Sequence, residues 1–271
     1  TSLEIKNLAL VPTQIISPAS NKPIIAIVQD TLLGANRFTK DNIHLTRKNV
    51  LDLLMWIPSF NGKLPSPDIV DENGIEKWKS HSILNLIIPK ISLSKKNKMD
   101  KLVKIENGEI VNENNEKVSS IFDKNILGTT SNGLIHIISN DIGVKETHKF
   151  IDNLQNLITN WLLMTGFSVG ISDIWIEEDT HEKIKEKILA EKKGVIDIIE
   201  SIHRGIFVNN SGKSNKDEFE FQVNNKLNQL NTATGKEGSK DLFDDNRMLN
   251  MVRCGSKGSD INMGQMIACV G

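Results

Sequence analysis

The stretch FIDNLQNLITNWLLMTG, residues 150–166, decides the fold of the second half of this sequence. Its apolar residues recur three and four positions apart, which places them on one face of an α-helix. They are Phe150, Leu154, Leu157, Ile158, Trp161 and Leu162. Gly166 follows the last of them, where a glycine commonly ends a helix. No proline occurs after about residue 144, and the helical periodicity begins there. We therefore predict that helices dominate the rest of the chain.

Downstream, the same periodicity predicts a long helical hairpin over residues 180–234. One helix runs from near Thr180 to His203 and ends at Gly205, and a polar loop over 209–215 turns the chain back. The returning helix is expected to end near Gly235. A fourth helix, with Leu242, Leu249 and Val252 on its apolar face, leads to Gly255.

Upstream, all seven prolines punctuate short apolar runs that are typical of strands. We expect strands over 24–28, 82–88 and 134–138, and a hairpin turn at Asn107-Gly108. One helix interrupts them: Thr46 caps it, and Pro58 stops it. The lysine-rich run 95–98 predicts a solvated loop. The fold class is therefore α+β, a mixed β-rich domain followed by a helical domain.

Composition restricts the function classes. Lys plus Arg is 33 and Asp plus Glu is 34, so the chain lacks the basic surplus typical of an isolated nucleic-acid binder. Two cysteines without a CxxC pair predict reduced thiols rather than disulfides. No apolar run approaches the roughly 20 residues of a membrane helix. The start at Thr1 leads us to expect a piece of a longer chain.

The segment GSKGSDIN, residues 255–262, is the one candidate for chemistry. Its two glycines let a backbone approach an anion while Lys257 supplies charge, but a tight turn between helices explains the same residues. The six histidines lack metal-ligand spacing, and no nucleophile motif is present. From the residues alone, both interpretations of the loop remain open.

Blocks along nearly the whole chain resemble the largest subunit of multisubunit DNA-dependent RNA polymerases. One such block is the region from Trp78 to Pro89, in which His81 and Asn85 depart from the family pattern. In chain order the other blocks are LVP 10–12, ISP 16–18, SNKP 20–23, IVQDTLLG 27–34, SNGLIH 131–136, WLL 161–163, GFSVGISD 166–173, GSKG 255–258, Asn262, QM 265–266 and ACVG 268–271.

The resemblance implies an organisation and a role. Residues 1–174 would be the pore domain, 175–254 the helical funnel domain, and 255–271 the start of the segment leading towards the bridge helix. The catalytic aspartates would lie outside this chain, which implies no catalytic residue, metal or cofactor here, inactivity alone, and Mg²⁺ only in the complete enzyme. The chain would form the pore, or secondary channel, through which nucleotides enter and backtracked RNA passes.

The roles of individual residues are implied only by the resemblance. Lys257 matches the lysine that faces the entering triphosphate and the RNA 3′ region, and Lys124 matches the first of two basic pore residues, the second being Asn125 here. Asn231 replaces an expected arginine, which implies poor sensitivity to amatoxin. Five residues match a pocket beside the bridge helix: Ile261, Asn262, Gln265, Cys269 and Val270.

The implied partners are the other polymerase subunits, especially the second-largest, with nucleoside triphosphates, the RNA 3′ end, template DNA and a transcript-cleavage factor, and no membrane. We expect a nuclear location, or cytoplasm and virion if the source is a large DNA virus. Two alternatives stand beside the channel. One is a helical scaffold that docks cleavage or elongation factors without touching substrate, and the other is an unrelated hydrolase or kinase.

Overall fold

The computed structural model describes residues 1–72, 74–111, 119–209 and 211–270. Gly271, the last residue of the resemblance, lies outside these ranges. The described chain forms two compact units. The first unit comprises residues 1–167 with 253–256, and the second comprises 168–252 with 257–271. The predicted domain boundaries at 174 and 254 stay a prediction.

Short elements alternate along the first unit. Two irregular helical turns, Ile5–Ala9 and Val11–Gln14, lie near its start. The regular elements are α1 (Ser2–Glu4), β1 (Ile16–Ser17), β2 (Lys22–Pro23), α2 (Gln29–Phe38), β3 (His44–Thr46), α3 (Arg47–Leu54), β4 (Ile69–Val70), β5 (Glu76–Lys79), α4 (Ser80–Leu84), β6 (Leu93–Lys96), β7 (Leu102–Glu106), β8 (Glu109–Ile110), α5 (Lys124–Leu127), α6 (Leu134–Asp141) and α7 (Val144–Thr165).

The sheets of the first unit are small and antiparallel. One pairs β1 with β2, and two have three strands each in the orders β3-β5-β4 and β6-β7-β8. Leu45 lies opposite Trp78 in the second sheet. The turn between β7 and β8 is built from Asn107 and Gly108, whose φ angles are 52° and 87°. The hairpin predicted there is therefore confirmed.

Helix α7 forms the centre of the helical core of the first unit. Helices α2, α3 and α6 all pack against it. Phe38 and Trp161 meet edge to face, with ring centroids 5.2 Å apart. A Cβ on Gly34 would lie 2.4 Å from Cγ2 of Ile158, so only glycine permits this approach of α2 to α7. The α7 stripe and the Gly166 helix end are confirmed.

Three predicted strands are wrong. Residues 134–138 lie in helix α6, where four of these five side chains are buried. Residues 82–84 end helix α4, and turns follow up to Pro89. Residues 24–28 are irregular, although the N–H of Ile27 donates to the carbonyl of Leu127. Short apolar runs do not separate a strand from a buried helix by periodicity. The predicted helix at Thr46 is confirmed as α3, and the Thr46 side chain accepts from the N–H of Asn49.

The second unit is helical. It contains a short 3₁₀ turn (Ile171–Asp173), α8 (Glu178–His203), α9 (Asn215–Asp241), α10 (Arg247–Cys254) and α11 (Asp260–Ile267). Helices α8 and α9 pack along each other as the predicted long hairpin. The α+β fold class with a helical second part is confirmed. No helix in the described ranges is long and apolar enough to cross a membrane.

Helix α9 continues past its predicted end at Gly235. Gly235 and Gly238 lie inside the helix, where they allow α11 to approach closely. A Cβ on Gly264 of α11 would lie 2.7 Å from the Cα of Gly235. The glycine that resembled a helix stop is thus a packing residue. The fourth helix also begins later than expected, since Leu242 precedes it, yet Leu242 packs in the same apolar cluster.

Candidate functional site

Lys257 belongs to the second unit and lies on a short loop between α10 and α11, whose first two residues, Gly255 and Ser256, belong to the first unit. The loop is bounded by Gly255 and Gly258, both with a φ of 79°, a region that glycine enters without strain. Ser259 caps α11 by accepting from the N–H of Asn262 at 3.3 Å. The Lys257 side chain is exposed and makes no hydrogen bond or ion pair with the described residues. The ammonium is therefore available to an anion.

The other predicted lysine, Lys124, begins helix α5 in the first unit, and its side chain is exposed. The preceding residue, Asp123, is buried and caps the helix. Its carboxylate accepts from the N–H of Asn125 at 2.9 Å and of Ile126 at 3.3 Å, and also from the N–H of Lys98. Burial raises the pKa of the Asp123 carboxyl above its usual value, despite these bonds.

Gly255 adjoins Lys124 within the first unit. A Cβ on Gly255 would lie 2.9 Å from the Lys124 Cβ, so the glycine lets the α5 lysine pack against the chain just after α10. Lys257 follows two residues later along the sequence. Its position relative to Lys124 remains a prediction.

The structure places two further lysines near Asp123. The charges of both Lys95 and Lys98 interact with its carboxylate. Lys95 lies in strand β6, and its ammonium donates to Oγ1 of Thr130 at 3.0 Å and to the carbonyl of Ser131 at 2.7 Å. The prediction of a solvated loop over 95–98 is therefore wrong for β6. Sequence alone could not show that this run folds back towards residue 123.

The predicted pocket residues occupy the end of the chain. Ile261, Asn262 and Gln265 are on the exposed face of α11, while Met263 and Gly264 are buried on the opposite face. Val270 is exposed and Cys269 is half-buried just after the helix. This arrangement leaves the three α11 side chains open to a partner or ligand, and their role in a pocket remains a prediction.

Asn231, which replaces an expected arginine, lies on α9 where α11 crosses it. Its carbonyl oxygen would be 3.3 Å from a Cβ on Gly264, and its side-chain oxygen is buried without a hydrogen-bond partner in the described chain. The arginine charge is absent at this position. Its effect on toxin binding remains a prediction.

An ion pair between the buried Asp173 and the partly exposed Arg247, which the sequence did not single out, holds the start of α10. Asp173 is fully buried, and its carboxylate accepts from Nε of Arg247 at 3.1 Å and from Nη2 of Arg247 at 2.8 Å. The backbone N–H groups of Gly170 and Arg247 also donate to it, at 2.8 and 3.0 Å. Burial alone would raise the pKa of Asp173, but these bonds and the guanidinium charge outweigh it and lower the pKa. In the sequence, the only indication of Asp173 was its place at the end of the block 166–173, which resembles the polymerase family.

No group of three or more His, Cys, Asp or Glu side chains converges as a metal site in the described ranges. The candidate chemistry of the chain consists of exposed lysines presented by a short helix and a glycine-bounded loop.

Two family models match the chain. RNA polymerase Rpb1, domain 3, matches residues 14–174, and RNA polymerase Rpb1, domain 4, matches residues 198–271. The two matches are to domains 3 and 4 of one subunit, and together they cover most of this α+β chain, including most of its helical hairpin. The chain belongs to the family of largest subunits of multisubunit DNA-directed RNA polymerases. It is part of a nucleotidyltransferase that assembles from several subunits, which replaces the alternative of an unrelated hydrolase or kinase.

Proposed function

We propose that this part of the largest subunit forms the wall of the pore, or secondary channel, through which nucleoside triphosphates enter and backtracked RNA passes. The observation that carries the proposal is the exposed Lys257 ammonium on its glycine-bounded loop, without a partner in the described chain. A cation held on a short loop and left unpaired fits a transient anionic ligand better than a structural ion pair.

The role of the lysines in this proposal is electrostatic. A local positive potential raises the concentration of a polyanion and speeds its encounter, and it does not require a basic chain overall. This agrees with a net charge of -1 together with exposed Lys257 and Lys124. Lys257 would act near the triphosphate and the RNA 3′ end, and Lys124 would be a basic residue of the pore. Bond formation would take place on Mg²⁺ held by residues outside this chain.

Asn125 lacks the charge of the second basic residue that the family pattern has after Lys124, so the attraction of nucleotides at this point would be weaker in this proposal. Lys95 and Lys98 lie nearby, where their charges interact with the Asp123 carboxylate directly before Lys124.

The test is transcription by the complete polymerase carrying Lys257→Ala, with nucleotide concentration varied. A charge-assisted hydrogen bond contributes about 1.5–3 kcal/mol, and each 1.4 kcal/mol or so is tenfold. We expect the apparent KM for nucleotides to rise about tenfold or the cleavage of backtracked RNA to change. Lys257→Arg should retain most of the function because it keeps the charge.

Lys48→Ala is the matched control, since Lys48 is an exposed lysine on α3 of the first unit. It should leave the KM unchanged. Equal kinetics for the wild-type enzyme, Lys257→Ala and Lys48→Ala would reduce Lys257 to a turn residue and remove the channel proposal's main support.

A second candidate function is a scaffold that docks transcript-cleavage or elongation factors on the α8–α9 hairpin without touching substrate. The turn that joins the two helices exposes Ile206 and Val208, at 65% and 63% of their surface. Large exposed apolar patches mark protein interaction sites, and these two residues would contribute to such a patch in this candidate function. Replacing both with serine should weaken stimulation by such a factor and leave the nucleotide KM unchanged. Unchanged stimulation by the factor together with an altered nucleotide KM would favour the channel alone.

A further inference from the structure

Helix α10 connects the ion pair of the buried Asp173 with Arg247 to the segment that carries Lys257. The helix has eight residues, which is about 12 Å of axis at the usual rise. Its first residue is Arg247, and the next residues after the helix include the Lys257 loop. A group that fixes the start of α10 can therefore influence where the loop lies.

The start of α10 is held more tightly than helix capping requires. Asp173 takes four hydrogen bonds on its carboxylate, three of them from Arg247. Its carbonyl oxygen accepts from the buried side chain of Asn246 at 2.7 Å, and the other end of that amide caps α10 by accepting from the N–H of Leu249 at 2.9 Å. The paired guanidinium and carboxylate geometry fixes orientation as well as distance.

From this clamp, packing within the second unit continues to the loop. One face of α10 presents Met248, Leu249 and Val252 to a buried cluster, which Met263 of α11 completes. Gly258 lies against the same face, since a Cβ on it would be 3.4 Å from Cγ2 of Val252. The residue after Lys257 and the helix beyond it thus both rest on α10.

We propose that Asp173, together with Arg247, is a positioning residue for the Lys257 loop: the clamp fixes the first turn of α10, and α10 in turn sets where the Lys257 ammonium meets an incoming triphosphate. The inference rests on the function proposed for Lys257. A guanidinium paired with a carboxylate through two aligned hydrogen bonds adds geometric specificity as well as energy. The attraction between two charges falls with distance, so a displaced ammonium holds the incoming triphosphate less strongly.

The experiment uses the complete polymerase with Asp173→Asn, Lys257→Ala and the double variant, and measures the nucleotide KM and kcat. Asparagine keeps the volume of Asp173 but cannot accept all four bonds. We expect Asp173→Asn to raise the apparent KM about threefold with kcat little changed, a partial loss of positioning. The double variant should equal Lys257→Ala alone, since both changes act on one ammonium. Asp71→Asn, which weakens the exposed Lys77–Asp71 pair of the first unit, is the matched control and should change nothing.

A second readout does not depend on nucleotides: hydrogen exchange of the backbone amides over residues 255–262 in the assembled enzyme. It should accelerate in Asp173→Asn and not in Asp71→Asn. If exchange and KM are both unchanged in Asp173→Asn while Lys257→Ala raises the KM, the positioning role is overturned and the channel proposal stands. Additive effects in the double variant also overturn it.

No KM change in Lys257→Ala overturns both proposals. If Asp173→Asn prevents assembly, Arg247→Lys takes its place. Lysine keeps the charge but cannot form the paired hydrogen bonds of arginine. The KM and the hydrogen exchange of this variant then support or overturn the positioning role as described for Asp173→Asn.

Discussion

The crossing of α9 and α11 offers a test of the packing around the candidate site through Gly264→Ala. The new Cβ would lie 2.7 Å from the Cα of Gly235 and 3.3 Å from its backbone nitrogen. Carbon atoms in contact are ordinarily about 3.5–4.0 Å apart, so the helices must separate by about 1 Å. Because both neighbours are backbone atoms, no rotamer change can relieve the overlap.

The expected magnitude is a balance of two terms. Overpacking of this kind costs about 1–3 kcal/mol, and alanine in place of glycine returns about 1 kcal/mol of helix propensity. We therefore expect Gly264→Ala to lower the free energy of unfolding of the second unit by up to about 2 kcal/mol. The shift should also displace the α11 side chains Ile261, Asn262 and Gln265.

Gly194→Ala in α8 is the matched control. Its Cβ would meet Nζ of Lys226 at 2.8 Å and Cε at 3.3 Å, the mobile end of a long side chain. The propensity gain should prevail there, and the free energy of unfolding should rise by up to about 1 kcal/mol. The measurement is urea unfolding of the chain followed by far-ultraviolet circular dichroism. A Gly264→Ala chain as stable as Gly194→Ala would refute the close packing of α9 and α11.

Four other outcomes are expected. The pKa of Asp173 is lowered in the folded chain. The contribution of this carboxylate to stability is therefore present above the usual pKa of 3.8 and is lost as the pH falls through the pKa of the folded chain. Urea unfolding at several pH values should show that the stability of Asp173→Asn depends less on acid than that of the wild-type chain. Leu154→Ala, in the buried face of α7, should cost about 2–5 kcal/mol in urea unfolding. Leu163→Ala, 79% exposed on the same helix, should stay within about 0.5 kcal/mol of the wild-type chain. The complete polymerase should transcribe at amatoxin concentrations that stop sensitive enzymes, because Asn231 lacks the expected arginine; strong inhibition would contradict this.

The sequence by itself determined the long helices and the family. The apolar stripe of α7 and the α8–α9 hairpin extend over many helical turns, so their periodicity is unambiguous. The Thr46 cap and the Asn107-Gly108 turn depend on local bonds and φ angles, which neighbouring residues decide. The lysines were found through motif order, and their exposure agrees with the role proposed for them.

Only the tertiary structure decided the short elements and the support of the site. Most side chains of the runs at 82–88 and 134–138 are buried, and a short apolar run does not show by its periodicity whether it is a strand or a buried helix. Gly235 resembles a helix end in sequence, but the approach of Gly264, 29 residues away, keeps it inside α9. Asp173 and Arg247 are 74 residues apart and show no local motif. Contacts of this kind are set by chain folding, since a pairing between distant residues leaves no periodic trace in the sequence.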